Sequence, residues 1–96
     1  MLGAAYEWDD AKSDHCLRER GFDFDFAIRL FRESNYITTV LSRRYGEERF
    51  LSVGNIDDIL ITVVWTPRSS RKRIISARRA SRRERNDYLA GISGKA

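Results

Sequence analysis

The apolar positions of this 96-residue chain change period once, from helical spacing in the first third to strand-like runs after Tyr36. Ala5 to Trp8 reads as a short extended start. Asp9 or Asp10 can then cap a helix that carries Cys16 and Leu17 on its apolar side and stops at Gly21, a residue suited to a left-handed terminus. Asp23 or Asp25 opens a second helix, in which Phe26, Ala27, Leu30 and Phe31 recur at helical spacings, and its end falls near Asn35. Four strands are predicted next, over Tyr36 to Ser42, Glu48 to Gly54, Ile59 to Thr66 and Lys72 to Ala77, with turn residues between them. The third is an unbroken run, Ile-Leu-Ile-Thr-Val-Val-Trp-Thr, which predicts burial on both faces and a central place in the sheet. Ser81-Arg82-Arg83-Glu84 is a capping box that opens a last helix. The predicted fold class is α+β, with two N-terminal helices, a four-stranded antiparallel sheet and a C-terminal helix. The helices are expected on one face of the sheet and a ligand on the other. Residues 1–90 are expected to form a single domain and 91–96 a frayed tail.

Composition narrows the class. Hydrophobic residues at 42% and charged residues at 33%, with one Pro and six Gly, describe a folded chain with a thin core. No apolar run approaches the length of a membrane span, and Met1 to Ala5 lacks the regions of a secretory signal, so the expectation is a cytoplasmic protein without membrane contact. Cys16, the lone cysteine, can form no internal disulfide and is read as a buried small residue. No metal site and no cofactor are expected.

The net charge of +4 matters less than its placement. Between Arg68 and Arg85 stand nine basic residues against the single acid Glu84, whereas Glu7 to Glu33 holds eight acids and five bases. Fifteen of the eighteen bases are Arg, whose planar fork binds phosphate through paired hydrogen bonds and stacks on bases. In a regular strand Arg73, Ile75, Ala77 and Arg79 would share one face, and Lys72, Ile74, Ser76 and Arg78 the other. Arg73, Arg78 and Arg79, with Arg82 and Arg83 one turn into the helix, could then surround a phosphate path. Cations in the first turn of a helix oppose its dipole, a cost of about 0.3–1 kcal/mol each that an arriving phosphate or acidic partner would offset.

Three stretches carry a resemblance: Tyr6 to Lys12 (Tyr-Glu-Trp-Asp-Asp-Ala-Lys), Gly46 to Phe50 (Gly-Glu-Glu-Arg-Phe), and Arg73 to Arg85 followed by Tyr88. Together, and in this order, they resemble the BrnT toxins. The resemblance implies a fold related to the RelE-like ribonuclease toxins, a ribbon-helix-helix antitoxin as partner, operator DNA bound only through that antitoxin, and growth inhibition through cleavage of RNA, either free or on the ribosome. The chain departs from the family pattern at Cys16, where an Asn is usual, and at Glu19-Arg20-Gly21, where Lys-His-Gly is common.

Metal-independent RNA cleavage needs a base for the 2′-hydroxyl, an acid for the leaving oxygen and cations for the transition state. A pair of histidines is excluded, because His15 is the only one, and it is read as an exposed helix residue. Arg73, Arg78 and Arg79 are the candidates for charge stabilisation, Lys12 and Glu48 for proton transfer. Arg82, Arg83 and Trp65 are the candidates for RNA binding, although Trp65 has core packing as its first expectation. Trp8 is expected to anchor the first helix to the sheet. The expected function is thus a toxin endoribonuclease that inhibits translation and growth. The alternative is a non-catalytic nucleic-acid or antitoxin-binding module acting in transcriptional autoregulation.

Overall fold

The computed structural model describes residues 5–44 and 46–93. The extended start is a strand, β1 (Tyr6–Glu7), followed by helix α1 (Asp10–Arg20) and two single helical turns, α2 (Phe24–Ala27) and α3 (Leu30–Glu33). Strands β2 (Ile37–Arg44), β3 (Glu47–Ile56), β4 (Ile59–Arg68) and β5 (Arg71–Arg79) follow, then helix α4 (Arg82–Ser93). The strands form one sheet in the order β1-β5-β4-β3-β2, parallel between β1 and β5 and antiparallel elsewhere. Among the described residues no helix is long and apolar enough to cross a membrane.

The predicted four-stranded antiparallel sheet is therefore corrected to a five-stranded mixed one. Two residues are too few to show a period, and β1 is held from outside: Lys72 N–H donates to Ala5 C=O at 2.9 Å, and Tyr6 stacks on Phe31 with centroids 5.7 Å apart. The second predicted helix is broken. Arg29 N–H bonds to Phe26 C=O and Phe31 N–H to Ile28 C=O, three residues back in each case, and this tight winding separates α2 from α3. The wound segment puts Phe24, Ala27 and Leu30 into the core at a spacing of three. The caps themselves are as expected of Asp9, Asp23 and Gly21, the last at φ 84°. Helix α4 continues to Ser93, and residues 94–96 of the expected tail lie outside the described residues.

Helices lie on both faces of the sheet, which corrects the one-faced arrangement. On one face α1, α2 and α3 bury Trp8, Cys16, Phe24, Ala27 and Leu30 against Ile61, Val63, Ile74 and Ala77. Trp8 meets Phe24 edge-on at 6.2 Å, the anchoring expected of it. On the other face the cross-strand row Ile37, Val53, Thr62 and Arg78 runs beneath α4. That helix passes so close that a Cβ placed on Gly91 would lie 2.9 Å from Ile37 Cγ2. Alternation could not show this, because the row mixes apolar, hydroxyl and charged side chains. Strand β4 is central, as its apolar run predicts, with Ile61, Thr62 and Val63 all buried.

Candidate nucleic-acid interface

The basic segment does not alternate as a regular strand. Val64 pairs with Ser76 but Trp65 pairs with Ile74, so Ile75 is an extra residue in β5. The bulge moves Lys72 and Ile74 to the face that holds Ala77 and Arg79, and sends Arg73 to the opposite face. Sequence alternation had grouped Arg73 with Ala77 and Arg79.

Ion pairing then sorts the cations. Arg78 forms a two-pronged pair with Glu84, at 2.6 Å to Oε1 and 2.8 Å to Oε2. Glu84 Oε1 also accepts from Thr62 Oγ1 at 3.0 Å and from Ser81 N–H at 2.8 Å, while Glu84 N–H donates to Ser81 Oγ at 3.2 Å. The predicted capping box is thus formed, and its carboxylate fastens α4 to the sheet as well. The guanidinium of Arg78, with the backbone and hydroxyl donors, holds the Glu84 carboxyl down at about 2. Arg73 pairs with Glu7 at 2.9 Å, Glu48 with Arg43 at 2.8 Å, and Arg68 with Glu47 at 3.2 Å. Arg79, Arg82 and Arg83 have no carboxylate within salt-bridge distance among the described residues, and all three are exposed. Arg79 lines a cleft at the end of α1 with Leu17, Phe22 and Phe26.

Trp65 is half-buried and fixed. Its Nε1 donates to Ser52 Oγ at 2.9 Å, its ring stacks on Phe50 at 4.9 Å, and Phe31 meets it edge-on at 5.9 Å. Lys72 Nζ, which the sequence did not single out, lies 5.0 Å from the Trp65 ring centroid and 5.3 Å from that of Phe31. Packing is the evident duty of this indole.

Lys12 stands apart from the other candidates. It lines a cavity of about 300 Å³ between α1 and the bulged part of β5, together with His15, Cys16, Arg20, Ile75 and Ser76. Cys16 is buried and donates its thiol to Ala77 C=O at 3.3 Å, seating the helix on the strand. Burial raises the thiol above its ordinary range, outweighing the Arg20 guanidinium beside it, so Cys16 stays protonated and unreactive. The sequence contained a signal for this grouping: Lys12, Cys16 and Arg20 recur at every fourth position, with His15 beside them.

A small α+β protein with unpaired arginines at one strand-to-helix junction has there a surface that can accept a polyanion. Residues 8–84 match the family model described as the ribonuclease toxin, BrnT, of type II toxin-antitoxin systems, and the chain belongs to that family. It is accordingly a ribonuclease toxin whose system supplies a protein antitoxin. Comparison with characterised proteins gives no match.

Proposed function

We propose that the chain is a metal-independent endoribonuclease that inhibits translation and growth inside the cell, with residues 1–90 acting as one toxin domain. The observation that carries this reading is the division of the basic segment into paired and unpaired cations. Arg79, Arg82 and Arg83 are free to follow an RNA backbone, whereas Arg78 and Arg73 are held by Glu84 and Glu7. Arg78 and Arg73 then stabilise transition-state charge only by exchanging a carboxylate for the scissile phosphate. Glu48 is held by Arg43, so Lys12 is the better placed of the two proton-transfer candidates. Trp65 contributes a ring to a wall that a base can contact at its edge. A ribbon-helix-helix antitoxin would cover the unpaired arginines with acidic side chains, and operator DNA would be reached through it. Purified toxin freed of antitoxin should cut single-stranded RNA in the presence of a chelator. Intact RNA under those conditions, with growth unaffected by expression, would instead favour a binding module.

A further inference from the structure

We propose that the cavity between α1 and β5 is the place of RNA cleavage, with His15 as the base, Lys12 as the acid and Arg20 as the clamp on the scissile phosphate. The proposal rests on the ribonuclease reading and assigns its chemistry to residues outside the basic segment. Three observations converge on it. The cavity gathers the only imidazole of the chain with an ammonium and a guanidinium, none of which has a carboxylate within salt-bridge distance among the described residues. Its one acidic lining residue, Asp9, is engaged by the helix, accepting from Ala11 N–H at 2.9 Å and Lys12 N–H at 3.3 Å. Its floor is the bulge at Ile75 and Ser76, on the stretch of β5 that extends beyond its two-residue pairing with β1. Bulges of this kind interrupt an edge where a ligand approaches.

The helix fixes the spacing. Lys12 and His15 stand one turn apart, with Cβ atoms about 5–6 Å from each other, and Arg20 lies two turns from Lys12 on the same stripe. Cys16 locks that stripe over the cavity through its bond to Ala77 C=O. In the reaction the 2′-oxygen of the substrate attacks phosphorus while its proton passes to the unprotonated nitrogen of His15. The bond from phosphorus to the 5′-oxygen breaks, and that oxygen takes a proton from the Lys12 ammonium. A 2′,3′-cyclic phosphate and a 5′-hydroxyl leave, and proton exchange with water returns imidazolium and amine to their starting forms. The Arg20 fork donates to the two non-bridging oxygens as their charge grows.

The test has two readouts. In cleavage of an RNA oligonucleotide by antitoxin-free toxin, His15→Gln and Lys12→Gln should each lose about 10²- to 10⁴-fold in rate. Glu19→Gln, exposed on the same helix outside the cavity, should keep the wild-type rate. Imidazole added to His15→Gly should restore part of the loss, and the products should end in cyclic phosphate. Separately, the single histidine gives one imidazole Hε1 proton resonance, which 3′-uridine monophosphate should shift saturably, with weaker binding in Arg20→Ala. Wild-type cleavage that survives His15→Gln would overturn this assignment and leave the ribonuclease reading standing. An imidazole resonance indifferent to the nucleotide would overturn it too. RNA left whole by a protein whose imidazole still answers to nucleotide would overturn the ribonuclease reading, and the cleavage assignment with it.

Discussion

At the scale of single residues, Glu84 shows how one carboxylate can serve a helix and a sheet together. Its bonds to Ser81 N–H, Thr62 and Arg78 are charge-assisted, and so stronger, while it is ionised. A carboxyl held at about 2 in the folded chain and near its ordinary value of about 4.3 in the unfolded one stabilises the fold fully above that ordinary value. The contribution falls away as the pH drops through that range toward the folded value. Thermal unfolding should therefore shift to lower temperature below about pH 4.5, and the slope there should flatten in Glu84→Gln. The same variant should lose about 1–3 kcal/mol at neutral pH in urea titration, the range for a charge-assisted bond left without its partner. The cap was legible in the sequence because Ser81 and Glu84 are three residues apart. The Arg78 pair was not, since Arg78 stands six positions before Glu84 on a different element and looked free for catalysis.

At the scale of elements, α3 is a single turn and owes its place to what lies beneath it. A Cβ on Gly54 of β3 would lie 2.8 Å from Leu30 Cγ and closer still to Ser34 Oγ. The close approach requires glycine there, so Gly54→Ala should cost about 1–3 kcal/mol in chemical denaturation by overpacking a full core. Leu30 is wholly buried and cannot yield space cheaply. The residue pattern predicts a strand ending at Gly54, whereas β3 runs on to Ile56. The turn that follows was anticipated from Asn55 to Asp58, and its strain falls on Asp57 and Asp58, both at positive φ. Arg29 reaches across to this turn, bonding Asp57 at 3.1 Å as well as Glu33 at 2.8 Å, which ties α3 to the hairpin.

At the scale of the whole molecule, net charge understates the face that RNA would meet. Cations already paired in the fold displace few counterions, so the salt dependence of RNA binding should count the unpaired ones. Arg82→Ala and Arg83→Ala should each reduce the slope of log affinity against log salt by about 0.7, the value for single-stranded contacts. Arg68→Ala, whose charge Glu47 already holds, should reduce it by less. Measuring binding to a non-cleavable oligonucleotide between low and moderate salt checks both. Equal slopes across the three variants would mean that pairing in the fold does not decide which cations meet RNA.

The sequence by itself determined what acts over a few residues. It fixed the capping residues, the four longer strands, the central place of Ile59–Thr66, the basic segment and the family, because propensity, turn chemistry and motif spacing are local properties. Tertiary structure decided what depends on distant partners. The two-residue β1 exists only beside β5, α4 lies on the face opposite the other helices, and the bulge at Ile75 reassigns the faces of the arginines. It also decided which cations are spent in ion pairs, since Glu7 and Arg73 are 66 positions apart and meet only in the sheet. Coulomb attraction depends on separation in space, which the order of residues along the chain does not specify.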